Sequence, residues 1–160
     1  MLKKSIILVL CFFSYASSWY NGYNFRKNIV ITVPGMTSPL NNFPFLLSIT
    51  NDSNLKAKAN SGGTNFVFTL SDGITKIPGE IENYDSNTGA LLAWLKLDLN
   101  LATTSIYIYY QTSRGSDEQD PLNLWSDFNA VWHCGNTNGS LKDSTVNSNT
   151  GITNSGITLG

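Results

Sequence analysis

Between residues 25 and 110 apolar side chains fall on alternate positions, in short runs broken by Gly, Asp and Asn turns. Successive side chains of a strand point to opposite faces, so a chain written this way builds sheets that are apolar on one side. Ile29, Ile31 and Val33 share one face of a run over 25–33, with Arg26, Asn28 and Thr32 on the other. Phe45, Leu47 and Ile49 mark a second run, Phe66, Phe68 and Leu70 a third, and Leu91, Ala93, Leu95 and Leu97 a fourth. Ile106, Ile108 and Tyr110 oppose Tyr107 and Tyr109 in a fifth. Ser71-Asp72-Gly73 predicts a hairpin into residues 75–84, and the turn over 85–89 predicts another joining 80–84 to 90–97. Residues 51–63 read as a polar loop with at most one helical turn at 55–59. The expected fold is an all-β antiparallel β-sandwich over 19–111, with a core of Ile29, Ile31, Phe45, Leu47, Phe66, Phe68, Leu95, Ile106 and Ile108.

Charged residues make up 13% of the chain, against roughly 25% in ordinary globular domains. With no Lys or Arg cluster, nucleic-acid binding and an anionic-membrane surface are excluded as default readings. Ser, Thr, Asn and Gly supply about two-fifths of the residues, while 41% are hydrophobic, a balance that fits a turn-rich extracellular β protein and not a disordered polymer.

Residues 1–18 have the order of a secretory signal: basic Lys3 and Lys4, an apolar run over 6–13, then Ala16 and Ser18 ahead of a cut. The apolar run is shorter than the roughly 18 residues a membrane span needs, and Leu10 before Cys11 is bulkier than lipoprotein processing prefers. The expectation is a secreted or cell-surface protein without a membrane span after signal removal. Eight Lys and Arg then face eleven Asp and Glu, and Cys134 is the one cysteine left, so no intrachain disulfide forms within 19–160. Its setting, Val131-Trp132-His133-Cys134, predicts a buried thiol.

Beyond Gln111 the texture changes. Residues 112–130 read as a linker, and 131–160 as the start of a truncated second domain, because about 30 residues cannot bury a core of their own. Trp19-Tyr20-Asn21-Gly22-Tyr23-Asn24-Phe25-Arg26-Lys27-Asn28-Ile29, Asn42-Phe43-Pro44-Phe45-Leu46-Leu47, Phe66-Val67-Phe68-Thr69-Leu70-Ser71-Asp72-Gly73, Glu80-Ile81-Glu82-Asn83-Tyr84-Asp85, Thr88-Gly89, Ala93-Trp94-Leu95-Lys96 and Ile106-Tyr107-Ile108-Tyr109-Tyr110 resemble domain-of-unknown-function family 2341. The resemblance implies a secreted or cell-surface β module of bacterial or archaeal multidomain proteins, with no assigned catalytic residues. Asn65 stands where the family usually carries an acid, and Gln111-Thr112 where it carries Gly-Asn. Ala130-Val131-Trp132-His133, followed by Lys142-Asp143-Ser144-Thr145-Val146-Asn147-Ser148-Asn149-Thr150-Gly151, is similar to the start of a concanavalin A-like, laminin-G-type jelly roll, which commonly follows such a module, and implies that the second domain is jelly-roll-like.

Glu80, Glu82 and Asp85 have the spacing of the Glu-x-Asp-x-x-Glu strand of concanavalin A-like glycoside hydrolases with residue types swapped; retaining enzymes hold such carboxylates about 5 Å apart. The competing reading is a solvated strand face followed by a turn aspartate. His133 is the only histidine, which limits a triad to one base and excludes a multi-histidine metal site; it is expected to be packed and hydrogen-bonded. Tyr107 and Tyr109 share a strand face and are candidates to stack on sugar rings, while Trp94 and Trp132 are expected in the core. Asp143, Asn147 and Asn149 are oxygen ligands at short spacing that could help hold Ca²⁺ in a complete second domain; no other cofactor and no catalytic residue is expected. The expected function is that of a non-catalytic extracellular module of a surface or secreted protein, engaged in carbohydrate binding or adhesion with a glycan or surface polymer as partner. The alternatives are a glycoside hydrolase using Glu80, Glu82 and Asp85, or a structural spacer. Intact-mass measurement of exported protein is expected to give a chain beginning at Trp19; a folded, soluble product retaining residues 1–18 would overturn the signal assignment.

Overall fold

A computed structural model describes residues 19–134 and 140–152; the signal peptide expected over 1–18 lies outside the described residues. In chain order the elements are β1 (Tyr23–Thr32), β2 (Leu40–Ile49), α1 (Ser53–Lys58), β3 (Val67–Leu70), β4 (Gly79–Asp85), β5 (Ala90–Leu99), β6 (Thr103–Thr112), α2 (Pro121–Leu124), and the two-residue strands β7 (Ser140–Leu141) and β8 (Gly151–Ile152). They form two three-stranded antiparallel sheets, ordered β1-β6-β3 and β2-β5-β4, and a small β7-β8 pair. No helix among the described residues is long and apolar enough to cross a membrane.

Alternation does what it predicts. Ile31, Leu47, Phe66, Phe68, Leu95, Ile106 and Ile108 are buried in one cluster fed by both sheets, with Ile29 and Phe45 packed at its margin. The turn over 85–89 links β4 to β5 as expected: the Asp85 carbonyl accepts from the Gly89 N–H at 2.8 Å, and its carboxylate accepts from Asn87 N and Thr88 Oγ1, both at 2.8 Å. Gly89 has a φ of 74°, and a Cβ there would lie 2.0 Å from the Asp52 carbonyl oxygen. That carbonyl belongs to the N-cap of α1, whose side chain accepts from Asn54 N and Leu55 N, so hairpin and helix are locked by a contact only glycine permits.

The first predicted hairpin closes only in part. Leu70 N donates to Thr75 O at 2.9 Å and Ile77 N to Phe68 O at 2.8 Å, and Thr69 bridges Lys76. The chain then passes Pro78, which has no N–H to continue the ladder, and Gly79 opens β4 in the other sheet. A Cβ on Gly79 would meet Leu95 Cδ2 at 2.9 Å.

Residues 112–130, expected as a linker, hydrogen-bond to the body of the sheets. Glu118 N donates to Thr64 O at 3.1 Å and Asp120 N to Gly79 O at 2.8 Å, while Gln119 Oε1 accepts from Ile81 N. This stretch runs along the outer edge of β4, covering backbone groups that an edge strand otherwise leaves open. Asp120 caps α2, and Leu124 and Trp125 after it are buried. The strand-like run expected from Val131 stops early. Cys134 has a left-handed φ of 57° and is exposed, not buried, and Trp132 is 45% exposed rather than in the core. The Trp132 indole donates to Asn149 O at 2.8 Å, tying it to residues 140–152.

Phe68→Ala is expected to cost about 3–5 kcal/mol in denaturant unfolding; a cost below about 1 kcal/mol would place Phe68 outside the shared core.

Candidate functional site

The bulge in β4 lies between Ile81 and Asn83, leaving Glu82 as the extra residue, while Ile81 and Tyr84 both still pack on the core. Glu80 pairs across the sheet with Trp94 of β5, on the face turned away from the core. This face is not solvated, contrary to the plain reading of the sequence. Trp125 stands on it with its ring 5.6 Å from Trp94, edge to face, and 5.4 Å from Phe128. Lys96, two residues along β5, reaches Asp127 at 3.0 Å and Ser126 Oγ at 2.8 Å.

Three side chains from the following segment converge on Glu80. Trp125 Nε1 donates to Oε2 at 2.7 Å, Ser144 Oγ donates to Oε1 at 2.8 Å, and His133 Nε2 lies 3.0 Å from Oε2. On the opposite side of the imidazole, His133 Nδ1 is paired with Glu82, which also accepts from Trp94 Nε1 at 3.2 Å. Burial pushes the Glu80 carboxyl upward, but the bonds from His133, Trp125 and Ser144 outweigh it and hold the group below its ordinary value. The Glu80 hydrogen bond, working against burial and joined by the charges of Glu80 and Glu82, raises His133 above its ordinary 6.5. His133 is thus packed and bonded as expected, while Asp85 is not part of this group: its carboxylate is spent in the hairpin turn.

The tyrosine candidates separate. Tyr109 is fully buried; its hydroxyl donates to Gly73 O at 3.0 Å and accepts from Arg26 Nη1 at 3.0 Å. Tyr107 is half-buried, and the Arg26 guanidinium lies 4.3 Å from its ring centre and 4.6 Å from that of Trp19. Trp19 packs edge-on against Tyr109 at 5.7 Å. The cation-π contacts occupy a face of Tyr107 that a sugar would otherwise use.

Asp143, Asn147 and Asn149 do come together, each tied by hydrogen bonds to the backbone around it. Asp143 Oδ1 accepts from Val131 N and Thr145 N, both at 2.9 Å; Oδ2 accepts from Thr145 Oγ1 at 2.9 Å and Asn149 N at 2.7 Å. Burial opposes its ionisation, yet these donors hold the carboxyl down at about 2. The side-chain amides of Asn147 and Asn149 donate to the Asn129 carbonyl at 3.1 and 2.8 Å. The trio therefore organises its own loop. No group of three or more His, Cys, Asp or Glu among the described residues could hold a metal ion.

Two hollows lie nearby. One, of about 250 Å³, is lined by Glu82 with Gly63, Thr64, Tyr84 and Gln119, and Glu80 does not border it. The larger, of about 490 Å³, is lined by Asn42, Lys76, Lys96, Asp98, Asn100 and hydroxyl side chains, and neither glutamate borders it. No family model matches the chain, and neither does any curated protein or solved structure.

Glu80→Ala leaves the Trp125 and Ser144 donors facing a void and is expected to destabilise the chain by about 1–3 kcal/mol per buried donor left unpaired. Denaturant unfolding checks this, with Asp85→Ala as the comparison in an exposed turn. An effect of Glu80→Ala no larger than that of Asp85→Ala would show that the cluster contributes nothing to seating the segment.

Proposed function

We propose that this chain is a non-catalytic extracellular module of a multidomain secreted or cell-surface protein, a β-sandwich whose role is to hold the polypeptide following it in a fixed orientation. The observation that carries this reading is Glu80, whose oxygens are engaged by Trp125, His133 and Ser144, all from beyond the two sheets. Side chains of both sheets share one core, which supports the sandwich. Glu80 and Glu82 lie in the stretch that resembles family 2341, and His133 and Ser144 in the stretches similar to the start of a laminin-G-type domain. In this reading the cluster is the joint between the two.

The use made of the carboxylates weighs against hydrolysis. A retaining or inverting pair must flank one bond of one substrate, whereas Glu82 borders a hollow that Glu80 does not, and Asp85 is tied in a turn. One observation favours glycan adhesion as a second reading: Trp19 is 47% exposed beside Tyr107 and Arg26, an aromatic and cationic surface. Trp19, and not the buried Tyr109 or Tyr107 under its Arg26 cover, would then meet the sugar.

Residual dipolar couplings test the leading reading. Amides of residues 23–112 and of 125–134 are expected to fit one alignment tensor in the wild-type chain, and two in the Glu80→Ala, Trp125→Ala double variant. Two tensors in the wild type would overturn it. Retardation on an immobilised polysaccharide that Trp19→Ala abolishes would promote the adhesive reading.

A further inference from the structure

Both ring nitrogens of His133 face carboxylate oxygens, Nε2 that of Glu80 and Nδ1 that of Glu82. A neutral imidazole has one N–H and one lone pair, so it satisfies one of these acceptors and turns its lone pair on the other; only the cation donates to both. Among the described residues, the groups packed around the ring leave little else to titrate. β4 supplies Glu80 and Glu82, β5 supplies the neutral Trp94 indole, and the following segment supplies Trp125, 6.0 Å away, and Ser144. Lys96, the nearest cation along β5, is drawn to Asp127.

We propose that Glu80, His133 and Glu82 form a proton-set latch, which seats the segment around His133 on the outer face of the β2-β5-β4 sheet while the imidazole carries two protons and loosens it when one leaves. The proposal rests on the reading of the chain as a presenting module and adds its regulation. The sign follows from the two directions of shift. His133 is raised on seating, so its contribution is complete below its ordinary 6.5 and fades as pH climbs through the raised value. Glu80 is lowered, so its contribution is complete above its ordinary 4.5 and fades in stronger acid. The latch is therefore tightest in mildly acidic surroundings, between 4.5 and 6.5, weakens from there upward, and is opened by alkali.

The full chain tests this by nitrogen-15 NMR of the His133 ring and the Trp125 indole N–H, together with the rate of proteolysis within residues 126–134. His133 is expected to titrate above 6.5, with the Trp125 indole signal moving at the same midpoint. Cleavage should quicken about tenfold for each unit by which seating raises the His133 pKa. Glu82→Gln provides an amide that can donate to the lone pair of a neutral ring, so it should keep the segment seated in alkali. His133→Gln should remove the alkaline limb of the pH dependence and leave the acid limb that Glu80 sets. Titration of His133 at or below its ordinary value, or a segment equally protected from about pH 6 to about pH 9, overturns the latch and leaves the presenting module standing. A segment already cleaved freely near pH 6 overturns both.

Discussion

Strand β5 is covered on both faces, and the rest of the structure is arranged around that fact. Leu91, Ala93, Leu95, Leu97 and Leu99 point into the shared core, while Leu92, Trp94 and Lys96 on the other face are all partly buried. β2 and β4 take the two hydrogen-bonding edges. A strand so placed needs a cover for its second face, and Trp125 with its neighbours provides one. Where the cover ends, Leu46, which pairs with Trp94 from β2, is left 39% exposed.

In a chain with so few charges, their placement carries information. Lys76 pairs with Glu118, Lys96 with Asp127, and His133 with Glu80 and Glu82. Each of these joins the body of the sheets to the segment after Thr112. The Lys76–Glu118 and Lys96–Asp127 pairs each keep a partly exposed member, and such pairs typically contribute less than about 1 kcal/mol, so their value lies in fixing where the segment sits; burial of Trp125 and Leu124 and the bonds gathered on Glu80 supply the adhesion.

The core was legible in the sequence because period-two alternation is a local signal, readable within one strand. The hairpin at Asp85 was legible for the same reason, its turn chemistry being complete within five residues. The Asp72-Gly73 turn was half legible: it was found, but the departure at Pro78-Gly79 depends on Leu95, which is remote in sequence. The site was hidden more deeply. A polar strand face looks alike whether water or another segment covers it, and nothing in the order Glu80-Ile81-Glu82 names residue 133 as partner. The one available sign was the cluster of aromatics over 125–132, too rich for a free linker. Tyr109 misled in the same way, since alternation places it off the core but does not reveal that the hairpin carbonyl of Gly73 and the side chains of Trp19 and Arg26 close over it. The spacing of Asn147 and Asn149 could not show that their N–H groups meet at one carbonyl, that of Asn129.

The order of strands has a consequence for biosynthesis. β6 sits at the centre of its sheet, between β1 and β3, yet it is the last of the six main strands along the chain. A polypeptide emerging amino end first carries β1 and β3 without a partner until residue 112 is out, because no earlier strand completes their ladder. Pairings of such long sequence separation form slowly. The β2-β5-β4 sheet has all its strands by Leu99, so it is the β1-β6-β3 sheet, and with it the core the two share, that waits for the last main strand to emerge.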